Sequence, residues 1–328
     1  MPEDSKMDLG YATKALLSCL LFMACSASMM IVNKQVTIAF GMPVTIVLVQ
    51  MAFTVTVLVT IFWWTLHIGS CDDFVRWARL IPLLYAFMLT SSLLALDAYS
   101  MGAMTVVRNL APIVTMPIEK AFQEDVPADF WTFVILFYIL GGAFLYIKDD
   151  IHFSGFGLAM MIVNMLVASL ERLMQRRLIA VKPVDISKMG MLGINNAVGM
   201  IYVSGFLLPP FFPEWKEWPT VTVDKTYADW LLLFLSCVAG VAIGWSAINA
   251  QFYVSATTML VITNLNKVLV IAYGILVLGE TSTPQAIAGC TIALTGGLLY
   301  GQDRKRLAAK AKAEEEEAKA KGGAKAMI

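Results

Sequence analysis

The chain has 328 residues, 59% of them hydrophobic and only 15% charged, with a mean hydropathy of +0.72. That composition excludes an ordinary soluble domain and a disordered chain, and it marks a polytopic membrane protein. Lys/Arg and Asp/Glu balance at 24 each, so net charge gives no sign of a nucleic-acid partner, and the placement of the charges carries the information.

The first fourteen residues hold charges of both signs, and the apolar run after them lacks a small-residue cleavage site. This run is therefore expected to be the first spanning helix rather than a signal peptide. Ten apolar segments follow one another at about 15–33, 43–66, 80–99, 102–121, 130–147, 153–170, 189–209, 228–248, 256–279 and 283–301. Each is close to the length that a bilayer demands. The expected fold is an all-α membrane protein of ten transmembrane helices, with a short segment 1–14 before the helical unit 15–301 and a charged tail 302–328 after it.

An even number of spans puts both termini on one side. If that side is the cytosol, 18 Lys/Arg lie in cytosolic segments and 4 (Lys34, Lys148, Lys216, Lys225) on the other side, leaving Arg108 and Lys267 inside helices. Positive charge accumulates on the cytosolic side of membrane proteins, so both termini are expected there.

The halves about 15–150 and 151–301 resemble each other. Helix 4 ends Phe122-Gln123-Glu124-Asp125 and helix 9 ends Leu278-Gly279-Glu280-Thr281. Gly141-Gly142 and Gly296-Gly297 follow those glutamates by 17 and 16 residues, each pair leading to a Tyr. A five-helix unit repeated once must be inverted in the membrane. Inverted repeats are an architecture of secondary transporters, with substrate held near mid-membrane between the halves.

Helix 10 carries Gly289, Ala293, Gly297 and Gly301, a small-residue stripe that admits close approach of another helix, either within the chain or from a second copy in a homodimer. The loop 210–227, rich in Pro and Trp, is expected to hold interfacial anchors. In the tail, Lys310–Glu314, Glu315–Lys319 and Glu317–Lys321 have the i,i+4 spacing of a solvated helix. The five cysteines form no CxxC pair and the two histidines sit at the edges of apolar runs, so neither a disulfide framework nor a metal site is indicated, and no cofactor is implied.

Three polar clusters interrupt the apolar helices. In helix 9, Thr263, Asn264, Asn266 and Lys267 put amides and an ammonium near mid-span. A Lys there costs about 2.5–3.5 kcal/mol on insertion scales, so it faces protein or a wet cavity. It either meets a buried carboxylate or binds an anionic solute. In helix 4, Arg108 lies 16 residues before Glu124 while Lys267 lies 13 before Glu280, about one turn apart in repeat register. Paired cations facing one cavity suit a multiply charged anion; the alternative is that Arg108 pairs with Glu119 or Asp97. In helix 7, Asn195 and Asn196 supply donors and acceptors, equipment either for reading a nucleobase edge or for bonding to a neighbouring helix.

With these clusters the chain resembles a nucleotide-sugar transporter of the drug/metabolite transporter superfamily, similar to the GDP-mannose branch. That branch carries Phe-Tyr-Asn-Asn in helix 7 and Gly-Ala-Leu-Asn-Lys in helix 9. The matching positions here read Gly193-Ile194-Asn195-Asn196 and Thr263-Asn264-Leu265-Asn266-Lys267. The resemblance implies guanine recognition at Asn195 and Asn196, and sugar and phosphate recognition around Lys267. It further implies a Golgi membrane location and exchange of the nucleotide-sugar for the nucleoside monophosphate, GMP. The residues flanking both motifs depart from the family, as does Met259 where the branch tends to have Tyr, so the resemblance implies a GDP-sugar more firmly than mannose. A phosphate-sugar translocator of the same superfamily would use Arg108 and Lys267 without a base-reading doublet. A membrane-embedded enzyme would need a catalytic constellation, and no HExxH, paired Asp or Ser/His set occurs in the spans. A non-catalytic scaffold would leave the three clusters unused.

Overall fold

The computed structural model describes residues 9–121, 128–148, 154–253, 256–279 and 283–325. Helix runs through each of the ten apolar segments. In order these are α1 (Leu9–Phe40), α2 (Pro43–Thr60), the short α3 (Cys71–Ala78) leading into α4 (Ile81–Ala98), then α5 (Met101–Val107) and α6 (Ala111–Ala121). They continue with α7 (Phe130–Lys148), α8 (Gly155–Arg176), α9 (Lys188–Phe206), a loop helix α10 (Trp218–Val223), α11 (Tyr227–Tyr253), α12 (Ala256–Leu276) and α13 (Pro284–Lys325). Among the described residues there is no strand, only an isolated bridge between Ile68 and Ile186. Six runs are long and apolar enough to cross a membrane, while Phe130–Tyr146 and Asn266–Leu276 are shorter apolar helices. Helix suits that setting because every backbone bond closes within the segment. On α7 the outward-facing Phe130, Phe137 and Phe144 are about 70% exposed (75, 71 and 69%), a surface for lipid rather than water.

Helix starts follow local chemistry. Ser100, Ser154 and Ser187 accept from the N–H groups of Ala103, Gly157 and Gly190 at 3.0–3.2 Å, satisfying otherwise orphaned donors. Ends are handled by cations. Lys34, on α1, donates to the carbonyls of Leu96 (2.6 Å) and Tyr99 (2.7 Å) at the end of α4. Lys225 donates to Ala39 at the end of α1. Two of the four cations counted outside the cytosol thus neutralise helix C-termini. Gly41, at φ +64°, turns the chain between α1 and α2, a left-handed conformation that glycine adopts without a Cβ clash.

Several boundaries differ from the sequence reading. α1 continues seven residues beyond 33, because Lys34 finds partners without leaving the helix. α8 runs on past 170, so Arg172 and Arg176 are helical rather than part of a loop. α13 is uninterrupted from Pro284 to Lys325, and the first residues beyond 302 still pack: Asp303 is buried, accepting from Thr132 Oγ1 (2.6 Å) and Arg306 (2.6 Å). Cys71, at the start of α3, is exposed, whereas Cys19, Cys237 and Cys290 are buried.

The small-residue stripe of α13 is occupied within the chain. A Cβ at Gly289 would meet Gly142 O and Tyr146 N of α7 at 2.7 Å, and one at Gly142 would meet Ala293 N at 2.7 Å. Other helix contacts include α1 on α11, α12 and α4, α8 on α4 and α6, α2 on α9, α11 and α4, α4 on α9, α5 on α12 and α7, and α12 on α13. The core has two main parts. One gathers Tyr99, Met101, Met104, Tyr146, Met161, Val270 and Ala293; the other gathers Val36, Val44, Met51, Leu93 and Val203.

Candidate functional site

The span holding Arg108 is broken where the site needs it. Pro112 has no N–H to give the carbonyl four residues back, which is that of Arg108. Arg108–Leu110 accordingly tighten into a 3₁₀ turn between α5 and α6. This turn presents Arg108 and Asn109 toward the helices around them. Arg108 donates through NH2 to Ser92 Oγ of α4 (2.7 Å). Ser92, rather than Asp97, takes that bond, and Asp97 lies in the field of Lys34. Glu119, the other partner considered, has its side chain outside the described residues.

From α12, Lys267 Nζ donates to Asn109 Oδ1 at 2.5 Å. Arg108 and Lys267 thereby come within charge–charge range of each other, and Arg172 of α8 acts on both. Three cations from three helices converge on one region. Asn266, next along α12, turns to α1 and donates to Ser26 Oγ (2.7 Å). Two amide atoms in this region are buried without a hydrogen-bond partner among the described residues: Asn109 Nδ2 and Asn266 Oδ1. Orphaned polar atoms are rare in native interiors and costly where they occur; Asn109 is the amide that Lys267 contacts, and Asn266 is the neighbour of Lys267 in α12. The backbone of Thr263 and Asn264 is helical within α12, while their side chains lie outside the described residues.

The helix 7 doublet is fully buried, Asn195 at 4% and Asn196 at 3% exposure. Asn195 Oδ1 accepts from the indole Nε1 of Trp77 in α3 at 2.9 Å, which is the helix-to-helix alternative realised for that oxygen. Asn196 Nδ2 donates to Leu192 O (2.8 Å), and its side chain also meets the Tyr85 hydroxyl of α4. The doublet and the cation cluster are bridged by α8, whose consecutive residues Glu171 and Arg172 act on Tyr85 and on Arg108 and Lys267 respectively. Neither Glu171 nor Arg172 stood out in the sequence, because both fall where the apolar run stops and a loop begins. Pro112 was the available signal for the break at Arg108.

The chain is 22% identical over 302 residues to a GDP-mannose transporter of Arabidopsis thaliana, covering 89% of this chain and 90% of that one. It is 26% identical over 293 residues to a nucleotide sugar transporter of Homo sapiens, covering 87% and 85%. It is 23% identical over 231 residues to a UDP-sugar transporter of Caenorhabditis elegans, covering 67% and 66%. The pattern of the Triose-phosphate Transporter family matches residues 13–301, and the chain therefore belongs to that family, as a multi-pass membrane transporter rather than an enzyme.

Proposed function

We propose that the protein carries a GDP-sugar into the Golgi lumen and returns GMP to the cytosol by alternating access. The observation that carries this reading is the bond from Lys267 to Asn109, whose Nδ2 is left without a partner among the described residues, in the combined field of Arg108 and Arg172. Cations set among hydrogen-bonding amides match a sugar diphosphate, and the sequence motif adds Thr263 and Asn264 as candidates for the sugar end. Asn195 and Asn196 would hold the base; each keeps amide hydrogens or lone pairs beyond the bonds described. The relatives named for GDP-mannose, nucleotide sugar and UDP-sugar transport support the substrate class.

The architecture in this reading is ten spans in two inverted repeats, α1–α7 and α8–α13, with both termini cytosolic. The helix pairings support it. Exchanging α1 for α8, α2 for α9, α4 for α11, α5–α6 for α12 and α7 for α13 turns the pairing of α1 with α11 into that of α8 with α4. The same exchange turns α1–α12 into α8–α6 and α4–α9 into α11–α2, and it leaves α2–α9, α5–α12 and α7–α13 unchanged. All of these pairs are present. The two cations then come from equivalent spans, as a mid-membrane site between repeats requires.

Proteoliposomes loaded with GMP and offered labelled GDP-, UDP- and CMP-sugars and triose phosphate test the proposal. GDP-sugar uptake dependent on internal GMP is the expected result. Faster exchange of triose phosphate or of a UDP-sugar would refute it.

A further inference from the structure

Glu171 is a carboxylate inside a membrane helix, 5% exposed, that the transport reading so far leaves without a task. Burying such a group in a spanning segment is costly, and the cost is seldom met without function. Gln175, one turn on, donates to Oε1, which leaves most of the carboxylate's roughly four lone-pair sites to be filled. Across the helix interface lies the Tyr85 hydroxyl, which feels the Glu171 charge and meets the Asn196 side chain. Arg172, the next residue, is exposed, and its charge acts on Glu171, Arg108 and Lys267. Consecutive residues on a helix point about 100° apart, as 3.6 residues per turn requires. One turn of α8 thus sets a carboxylate beside Tyr85 and Asn196 and a cation whose charge reaches Arg108 and Lys267.

The chemistry of the bases decides what such an acceptor selects. Guanine alone among the common bases carries two adjacent parallel donors, N1–H and the 2-amino group. A carboxylate accepts such a pair in bidentate fashion, with charge assistance. Uracil flanks its single N–H with two carbonyl oxygens that a carboxylate repels. Adenine and cytosine each set an amino donor beside a ring acceptor. We infer that Glu171 is the specificity-determining acceptor for the N1–H and 2-amino edge of a guanine held beside Asn196. The inference rests on the GDP-sugar reading and adds to it the residue that would distinguish guanine from every other base.

Competition for GDP-sugar exchange by GMP, IMP, XMP and UMP, on purified wild type and Glu171→Gln, tests it. IMP lacks only the 2-amino group. Wild type should prefer GMP to IMP by roughly 10- to 150-fold, the range for losing a hydrogen bond to a charged partner. Glu171→Gln should lose that margin and gain affinity for XMP, whose 2-oxo group accepts from the new amide, while Asn196-dependent binding survives. A purely structural role for Glu171 would weaken all four competitors alike. A wild type that prefers GMP to UMP but not to IMP would overturn the Glu171 assignment and leave the GDP-sugar reading standing, and this result needs no variant to fold. An unchanged GMP-to-IMP ratio in Glu171→Gln would do the same. A wild type with no preference for GMP over UMP would overturn both.

Discussion

Lys267 is where residue-scale energetics and proposed function meet most directly. Its ammonium is held 2.5 Å from Asn109 Oδ1 in the field of Arg108 and Arg172, so a substrate phosphate would find charge already gathered. Lys267→Ala should abolish exchange of every substrate while leaving the order of competition among GMP, UMP and CMP unchanged, because the base is proposed to sit at Asn195 and Asn196. Lys267→Arg should restore little, since a planar fork does not replace a compact ammonium on a short reach to Asn109. Transport and equilibrium competition on the purified variants check both statements; an alanine variant that transports at the wild-type rate would remove Lys267 from the site. The lysine could be found in the sequence because an ammonium in an apolar span has to be explained. The bond from Trp77 to Asn195 could not, since α3 is too short and too polar to announce that its tryptophan enters the bundle.

At the scale of elements, packing in lipid relies on close approach of helix backbones, and the α7–α13 pair makes that measurable. A Cβ at Gly142 would lie 2.7 Å from Ala293 N and 2.8 Å from Gly289 O, whereas one at Gly141 would meet nothing within 4 Å. Gly142→Ala should therefore destabilise the protein by about 1–3 kcal/mol, the usual cost of overpacking, and Gly141→Ala should be near neutral. Thermal melting of the two variants in detergent compares neighbours differing only in what they face. A second element-scale contact fastens the loop after α9 to the start of α2, where Glu214 accepts from the N–H of Val44 (3.1 Å) and Thr45 (2.7 Å). Burial is the largest influence on this carboxyl and pushes its pKa up from 4.5, although the bonds from Thr45 and Val44 pull the other way. A raised value in the folded state means that the fold holds the proton more tightly than the open chain does. The associated stability is full below the ordinary glutamate range and is lost as pH rises through the raised value. Melting temperature should fall across that window, and Glu214→Gln should flatten the slope; an unaltered slope in the variant would refute the assignment. The sequence reading recognised this loop only as a store of interfacial aromatics. Its helical capping role depends on a contact 170 residues away in the chain, which no local pattern encodes.

For the whole molecule, the apolar segments were legible because a bilayer demands long apolar runs; each carries helix, and six runs are long and apolar enough to cross a membrane. Helix ends were not, since Lys34, Arg172 and Asp303 remain helical by finding partners on other helices, which hydropathy does not register. We read the two halves as inverted repeats on two short sequence echoes and on the helix pairings. If those halves rock about a common site, Arg108 and Lys267 must be reached by water from the cytosol in one state and from the lumen in the other. Cysteine at either position should then react with a membrane-impermeant thiol reagent added to either face of oriented vesicles, in a cysteine-free background. GMP and GDP-sugar should slow both reactions by occupying the site, and they should do so from the opposite side of the membrane as well. Labelling from one face only would be incompatible with alternating access. Failure of any polar reagent to reach both positions would place these cations in a sealed structural cluster, and the transport assignment of the pair would fall with it.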